Sequence, residues 1–313
     1  MLMLLPDEMS RPGKLGLTDG RTPGILSPPS GLALGIFSIC LAFGAMSAGV
    51  AAQFASGVNL VEVYATVLND KGEPVPNLPA EAFVVKEDGV PQPVQVFSAG
   101  ELPLALAIAV DRSFSVPAAR LENVTAAVQQ LLGELRLQDQ TMLLAIGSEV
   151  EEVTPLSTDH RAAYDAVGAL HRWGTTPLHD AIVAAIDRIQ HASGRRALIL
   201  ISDGGDRYSD ARAADVIAIA RARDVLVYPI ALGRTASPMF AEVASVTGGH
   251  SFAVRDERTL PATLRTIVRE LRTQYLLGYE PADRGVASGW RRISVDVLRE
   301  GLHARARDGY VAP

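Results

Sequence analysis

Between residues 104 and 273, short apolar runs alternate with stretches whose apolar residues recur at spacings of three and four. Residues 104–110, 141–146, 197–201 and 225–232 are almost continuously apolar, the pattern of strands buried on both faces of a parallel sheet. Residues 116–135 place Leu121, Val124, Val128, Leu131, Leu132 and Leu135 on one helical face. Stripes of the same kind run through Leu178, Ile182, Ile186 and Ile189, and through Leu260, Leu264, Ile267 and Leu271. Further helices are expected over 159–170, 210–223 and 238–246, with short strands over 249–254 and, in antiparallel sense, 150–156. Pro229 cannot donate a ladder hydrogen bond, so its strand is expected to be weak there or to bulge. The alternation predicts an α/β fold with a doubly wound, mostly parallel sheet.

The pattern differs on both flanks of this core. Residues 59–68 (NLVEVYATVL) are rich in Val and partly alternate, as strands do. Residues 82–86 and 94–97 read as strands flanking a turn centred on Asp88-Gly89. Residues 57–99 therefore form a small β module ahead of an α/β domain over 101–273. After it, residues 274–279, 292–298 and 302–306 are three more strands, within a closing β segment over 274–313. The strands at the two ends are expected to pack together as one small β-sandwich beside the sheet.

The start of the chain belongs to neither. Residues 1–30 are rich in Pro, Gly and Ser, and residues 31–52 carry no charge and end in Ala48-Gly-Val-Ala-Ala52. Val50 and Ala52 stand where a signal peptidase would accept them, with cleavage before Gln53. The segment is also long enough to span a bilayer, so an uncleaved anchor over 31–52 competes with a cleaved signal. Both place the protein outside the cytoplasm, periplasmic or extracellular, with membrane contact only through this segment.

Composition narrows the functions. A hydrophobic fraction of 48% supports a sizeable core, and a net charge of −6 argues against nucleic acid as a partner. Cys40 is the only cysteine, which excludes an intramolecular disulfide and any cysteine-ligated zinc or iron–sulfur site. The histidines show no His-Glu-x-x-His spacing, and no Gly-x-Gly-x-x-Gly follows the first core strand.

Candidate chemistry lies where the core strands end. Asp111, Ser113 and Ser115 leave the carboxyl end of the first strand at alternate positions. Thr175 and Thr176 open a helix, and Asp203 follows a third buried strand. In open α/β sheets such loops converge on the ligand-binding edge. Two carboxylates with hydroxyls suit a hard divalent cation, Mg²⁺, Mn²⁺ or Ca²⁺. The plainer alternative for Asp111, Ser113 and Ser115 is a helix cap.

Asp111-Arg-Ser-Phe-Ser115, Gly174-Thr-Thr-Pro-Leu-His-Asp-Ala181 and Ser202-Asp-Gly204 resemble the metal-ion-dependent adhesion site of von Willebrand factor A domains. The flanks Ala82-Phe-Val-Val-Lys-Glu-Asp-Gly89, Gln92-Pro-Val-Gln-Val-Phe97, Tyr275-Leu-Leu-Gly-Tyr-Glu-Pro281 and Arg307-Asp-Gly-Tyr310 are similar to a bacterial, exported subgroup of that family. The resemblance spans residues 57–313 and implies a Rossmann-like core. It implies that Ser113, Ser115 and Thr176 ligate a cation directly, while Asp111 and Asp203 fix the metal and its waters. Thr176 is preferred to Thr175 by the run Gly174 to Ala181. Arg112 and Phe114 depart from the family's usual small residues, and Arg112 sets a cation beside the metal.

Thr175, Asp180, Asp206 and Arg112 are the remaining candidates around the site. Asp180 reads equally well as a first-turn helix carboxylate, and Asp206 as a turn residue. The implied function is non-enzymatic: a protein partner offers a carboxylate to the cation, most simply Mg²⁺. Two alternatives stay open. A metal-dependent phosphohydrolase of the haloacid dehalogenase type would want an acid where Ser113 stands, and a lysine after the first core strand, whereas Lys14, Lys71 and Lys86 all precede it. A structural envelope module would leave the site without metal and let Arg112 supply the positive charge.

Overall fold

The computed structural model describes residues 60–100, 102–233, 237–281 and 289–312. The leader expected over residues 1–52 lies outside them. Among the described residues, no helix is long and apolar enough to cross a membrane.

Four strands come first, β1 (Val61–Asn69), β2 (Phe83–Glu87), β3 (Val90–Gln92) and β4 (Val94–Ser98). The core follows as β5 (Leu104–Asp111), α1 (Ala118–Glu134), β6 (Gln140–Ile146), β7 (Val150–Ser157), α2 (His160–Gly168) and α3 (Leu178–Ile189). It continues with β8 (Arg195–Ser202), α4 (Ala213–Ala222), β9 (Leu226–Leu232), α5 (Pro238–Thr247), β10 (Phe252–Val254) and α6 (Leu260–Thr273). The chain closes with β11 (Tyr275–Tyr279), β12 (Trp290–Val297), β13 (Leu302–Arg305) and β14 (Gly309–Val311).

The core sheet has the order β10-β9-β8-β5-β6-β7, parallel throughout except for β7, which runs antiparallel to β6. Alternation along β5 sorts its side chains between two cores. Leu104, Leu106, Ile108 and Val110 join Leu121, Val128, Leu264 and Ile267 under α1 and α6. Ala105, Ala107 and Ala109 join Leu178, Ile182 and Ile186 of α3, where small side chains leave room for a helix. Each fully buried Leu or Ile contributes about 1.5–3 kcal/mol relative to exposure. From β5 the chain winds to β6 and β7 on one side, then crosses to β8 on the other. The carboxyl end of β5 therefore sits at the switch point of strand order, where such sheets open a crevice. Pro229 causes no bulge: it pairs with Leu200 in unbroken register, and β10 joins only from Ile230 onward.

The flanking strands form two antiparallel sheets, β13-β1-β11-β4 and β14-β12-β2-β3. They share a core in which Val63, Val67, Val85, Leu277 and Ile293 are buried and the Phe83 ring lies 4.7 Å from that of Tyr275. This is the expected sandwich, built from both ends of the chain, with β1 paired to β11. The expected hairpin is corrected in one respect. Asp88 and Gly89 do turn, with φ of 47° and 84° as a type I′ turn requires, but β2 returns as β3. Residues 94–98 instead cross to the other sheet and pair with β11. β14 was not anticipated. Gly309 admits it, since a Cβ there would lie 2.2 Å from the Arg291 carbonyl oxygen.

The amino-terminal edge of the core sheet is heavily tied. Buried Asp139 accepts from the amides of Leu104 and Arg136 and from Arg272 Nη2 at 2.6 Å, while its carbonyl oxygen lies 2.8 Å from His160 Nε2. Arg195, also buried, donates to the carbonyls of Leu271 and Gln274, and its guanidinium lies 5.2 Å from the Tyr64 ring centroid. Burial lowers its pKa to about 10.

Candidate metal centre

Asp111 is the last residue of β5 and is 1% exposed. Its Oδ1 accepts from the Ser113 amide at 2.9 Å, and its Oδ2 from Ser202 Oγ at 2.7 Å. Ser202 Oγ itself accepts from the Gly204 amide at 3.1 Å. Burial pushes the Asp111 pKa up; the bonds from Ser202 and Ser113 oppose the rise, and the charge of Asp203 adds to it. The net shift is upward, so the fold holds an anion it would rather neutralise.

Ser113 is buried and Ser115 exposed, with their hydroxyl oxygens 2.9 Å apart. Neither caps α1, which starts after Pro117 with no side-chain bond to its free amides. The helix-cap alternative does not hold.

Backbone bonds draw three loops together. The Phe114 amide donates to the Gly174 carbonyl at 3.0 Å, and the Trp173 amide to the Arg112 carbonyl at 2.8 Å. The Arg207 amide donates to the Thr176 carbonyl at 2.7 Å, tying the loop after β8 to the same place. Gly174 also lets its loop lie against the one that follows β6. Its φ is +79°, and a Cβ there would fall 2.1 Å from the Ser148 nitrogen. Thr176 is buried, Thr175 is partly exposed, and Asp203 is partly exposed with Oδ1 accepting from the Gly205 amide.

Asp180 and Asp206 have other partners. Asp206 Oδ1 accepts from the amides of Leu178 and His179, capping α3 from a distant loop. Asp180 accepts from the amides of Asp210 and Ala211. Together they staple the loop after β8 to the start of α3. Arg112 is drawn aside: its Nη2 lies 2.5 Å from Glu151 Oε2 on β7, and its guanidinium 5.2 Å from the Trp173 ring centroid. Ser202 and Glu151 escaped sequence reasoning. The signal for Ser202 was its place at the end of a buried strand, where a hydroxyl must find a partner.

The candidate donors are the carboxylates of Asp111 and Asp203 and the hydroxyls of Ser113, Ser115 and Thr176, of which Asp111 is bonded by the Ser113 amide and Ser113 lies beside Ser115. Among the described residues no group of three or more His, Cys, Asp or Glu comes together, so any cation here must rely on hydroxyls. An all-oxygen set around a buried, unneutralised carboxylate fits a hard divalent cation.

A doubly wound sheet with oxygen-bearing loops at its switch point defines the class, a Rossmann-like binding module. The model of the von Willebrand factor type A domain matches residues 105–266, more than half of the 313-residue chain, and the chain belongs to that family. No curated protein matches the sequence. Among solved structures, a von Willebrand factor type A protein from Catenulispora acidiphila has a TM-score of 0.50 at 15% identity, over 82% of this chain and 74% of its own. Proximal thread matrix protein 1 from the mussel byssus has a TM-score of 0.50 at 14% identity, over 59% and 51%. The conserved hypothetical protein BatB of Bacteroides thetaiotaomicron has a TM-score of 0.45 at 20% identity, over 54% and 98%. At these identities the likeness concerns the fold alone.

Proposed function

We propose that this chain is an exported, non-enzymatic binding protein that holds a protein partner through a divalent cation. Ser113, Ser115 and Thr176 would ligate it directly, and Asp111 and Asp203 would fix the metal and its waters. The observation that carries this reading is the buried Asp111 carboxylate at the switch point, its pKa raised, beside serine hydroxyls that cap no helix. When bound, the cation supplies a Lewis-acid position that neutral hydroxyls leave unsaturated, open to a carboxylate from the partner. Mg²⁺ is the simplest occupant, since it keeps several waters and needs few protein ligands; Mn²⁺ and Ca²⁺ take the same oxygens. Export rests on the leader pattern of residues 1–52. The chain's own residues do the positioning. Ser202 and the Ser113 amide orient Asp111, Gly174 lets the loop that carries Thr176 lie against Ser148, and Glu151 holds the Arg112 charge to one side.

The test is Mn²⁺ titration of the full chain by electron paramagnetic resonance, with a pull-down from envelope extract in the presence and absence of chelator. Saturable binding lost in Asp111→Ala, together with partners released by chelator, is the expected result. Absence of Mn²⁺ and Mg²⁺ binding, or an Asp111→Ala variant that behaves as wild type, would overturn it.

A further inference from the structure

We propose that Phe114, Trp173 and Tyr208 form an aromatic rim around this site, and that the rim takes an acidic peptide segment whose Asp or Glu is flanked by a bulky apolar residue. The inference rests on the cation reading above for the carboxylate, and adds what surrounds it. Phe114 is 62% exposed, Trp173 37% and Tyr208 81%. Large aromatic side chains are normally the most valuable to bury, and exposed clusters of them mark interaction surfaces.

Each ring branches from one of the three converging loops. Phe114 stands between Ser113 and Ser115, and its amide is bonded to the Gly174 carbonyl. Trp173 precedes Gly174 and donates its amide to Arg112. Tyr208 follows Arg207, whose amide is bonded to Thr176. A group reaching the candidate ligands from solvent is therefore bordered by all three loops.

Two of the rings are held in place before any partner arrives. The Trp173 indole lies against the Arg112 guanidinium, itself paired with Glu151, and over Gly147, where a Cβ would come 2.5 Å from the ring. Arg172 bonds the Phe114 carbonyl and lies 5.6 Å from the Phe114 ring centroid. Fixing side chains in advance lowers the entropy cost of binding. Tyr208 makes the strongest case. Its φ of 69° is the left-handed region that a bulky residue rarely adopts, yet its ring makes no hydrogen bond or ring contact among the described residues. Backbone strain of this kind gathers at functional positions.

Charge selects the partner. Arg172 and Arg207, both beside the rim, form no ion pair with a carboxylate among the described residues. Guanidinium groups whose charge no carboxylate balances favour an acidic partner beside the aromatic surface and disfavour a basic one. Tyr, Trp and Arg are also the residues that most often dominate binding energy.

The test pans a displayed library of random twelve-residue peptides against the full chain in Mg²⁺. Selected peptides are expected to carry Asp or Glu within two residues of Phe, Trp, Leu or Met. Phe114→Ala, Trp173→Ala and Tyr208→Ala should each weaken the best synthetic peptide about tenfold or more, equivalent to about 1.4 kcal/mol, while Mn²⁺ affinity stays within about twofold. Tyr208→Gly should raise the melting temperature by relieving the backbone and still lose peptide affinity, which a merely structural tyrosine would not do. Acidic peptides without apolar neighbours, or rim variants that keep wild-type peptide affinity, would overturn the rim and leave the cation reading intact. Absence of Mn²⁺ binding in the wild type would overturn both, since the carboxylate would lack its anchor. Mg²⁺-dependent self-association in sedimentation, lost in Tyr208→Ala, would overturn the assignment by making a second copy the occupant.

Discussion

Replacing Asp111 with Asn separates the cost of the site from its use. This carboxylate is 1% exposed and accepts two hydrogen bonds, from the Ser113 amide and Ser202 Oγ. Burying an ion costs several kcal/mol after relaxation, and each hydrogen bond to a charged acceptor returns about 1.5–3 kcal/mol. The raised pKa says that burial, helped by the charge of Asp203, outweighs those bonds. A folded pKa above the unfolded value, about 3.9 for Asp, gives a contribution to stability that is complete below the unfolded value. That contribution is lost as pH rises through the folded value, so at neutral pH the ionised group weighs against folding. Asn keeps the shape and the acceptor for Ser113 but carries no charge. Without metal, Asp111→Asn should be more stable than wild type by about 1 kcal/mol, or about 2–4 °C in melting temperature for a domain of this size.

Magnesium should invert the order. At a free concentration about a hundred times Kd, binding stabilises the wild type by about 2.7 kcal/mol, more than the variant's advantage, while the variant, lacking the carboxylate, gains nothing. Calorimetric melts of both proteins in chelator and across a Mg²⁺ series measure the crossing. A variant that melts below wild type in chelator would show that burial does not dominate at Asp111. Equal upward shifts of both proteins with Mg²⁺ would show that the carboxylate plays no part in holding the cation.

Asp139→Asn should destabilise by about 3–5 kcal/mol, because it leaves the nearly buried Arg272 without its partner. Burial alone would raise the Asp139 pKa, but the bonds from Arg272, Arg136 and Leu104 outweigh it and hold it below 3.8. The deficit should therefore stay full above about pH 5 and shrink as pH falls below the ordinary Asp value of about 3.9, which denaturant titrations at several pH values would follow. Gly174→Ala should cost about 2–6 kcal/mol, the range for strain and overpacking together, and should reduce the Mg²⁺-dependent rise in melting temperature, since its Cβ collides with the Ser148 nitrogen. Arg112→Ser should change Mn²⁺ affinity by less than about threefold and cost about 1 kcal/mol of stability, the scale of a partly exposed ion pair with its cation–π contact. A gain of tenfold or more in Mn²⁺ affinity would mean that the guanidinium opposes the cation.

What could be read from sequence was what depends on period and order. An apolar run ending on Asp111 has few structural meanings, and the α1 stripe from Leu121 to Leu132 fixes one face of a helix within residues of its observed bounds. The placing of Ser113, Ser115 and Asp203 after strand ends, and of Thr176 before a helix, followed from the same alternation. The direction of Arg112 did not, because its partner Glu151 arrives only through antiparallel pairing of β7, where Ala145 faces Glu151. Asp180 and Asp206 looked local, as a helix-turn carboxylate and a turn residue, but each satisfies amides on the other's loop, about thirty positions away. The β2 hairpin went to β3 because a three-residue strand containing Pro91 is too short to show alternation, whereas the longer run beyond Pro93 showed it and drew the expectation.

The two ends of the core sheet are built to different standards, and the contrast bears on function. At the amino-terminal edge, Asp139 ties β5, α6 and the turn before β6, and Arg195 closes the end of α6 with two carbonyls. Nearly every charge there has a partner inside the protein. The carboxyl edge holds an anion raised in pKa, three exposed rings, one of them on a tyrosine in the left-handed region, and two arginines that pair with no carboxylate among the described residues. The raised pKa, the exposed rings and the left-handed tyrosine each cost stability or leave an interaction unmade. Such groups gather on one edge when their partners come from outside the chain. A cation answers the first and an acidic, partly apolar ligand answers the rest, so both proposals draw on the same imbalance.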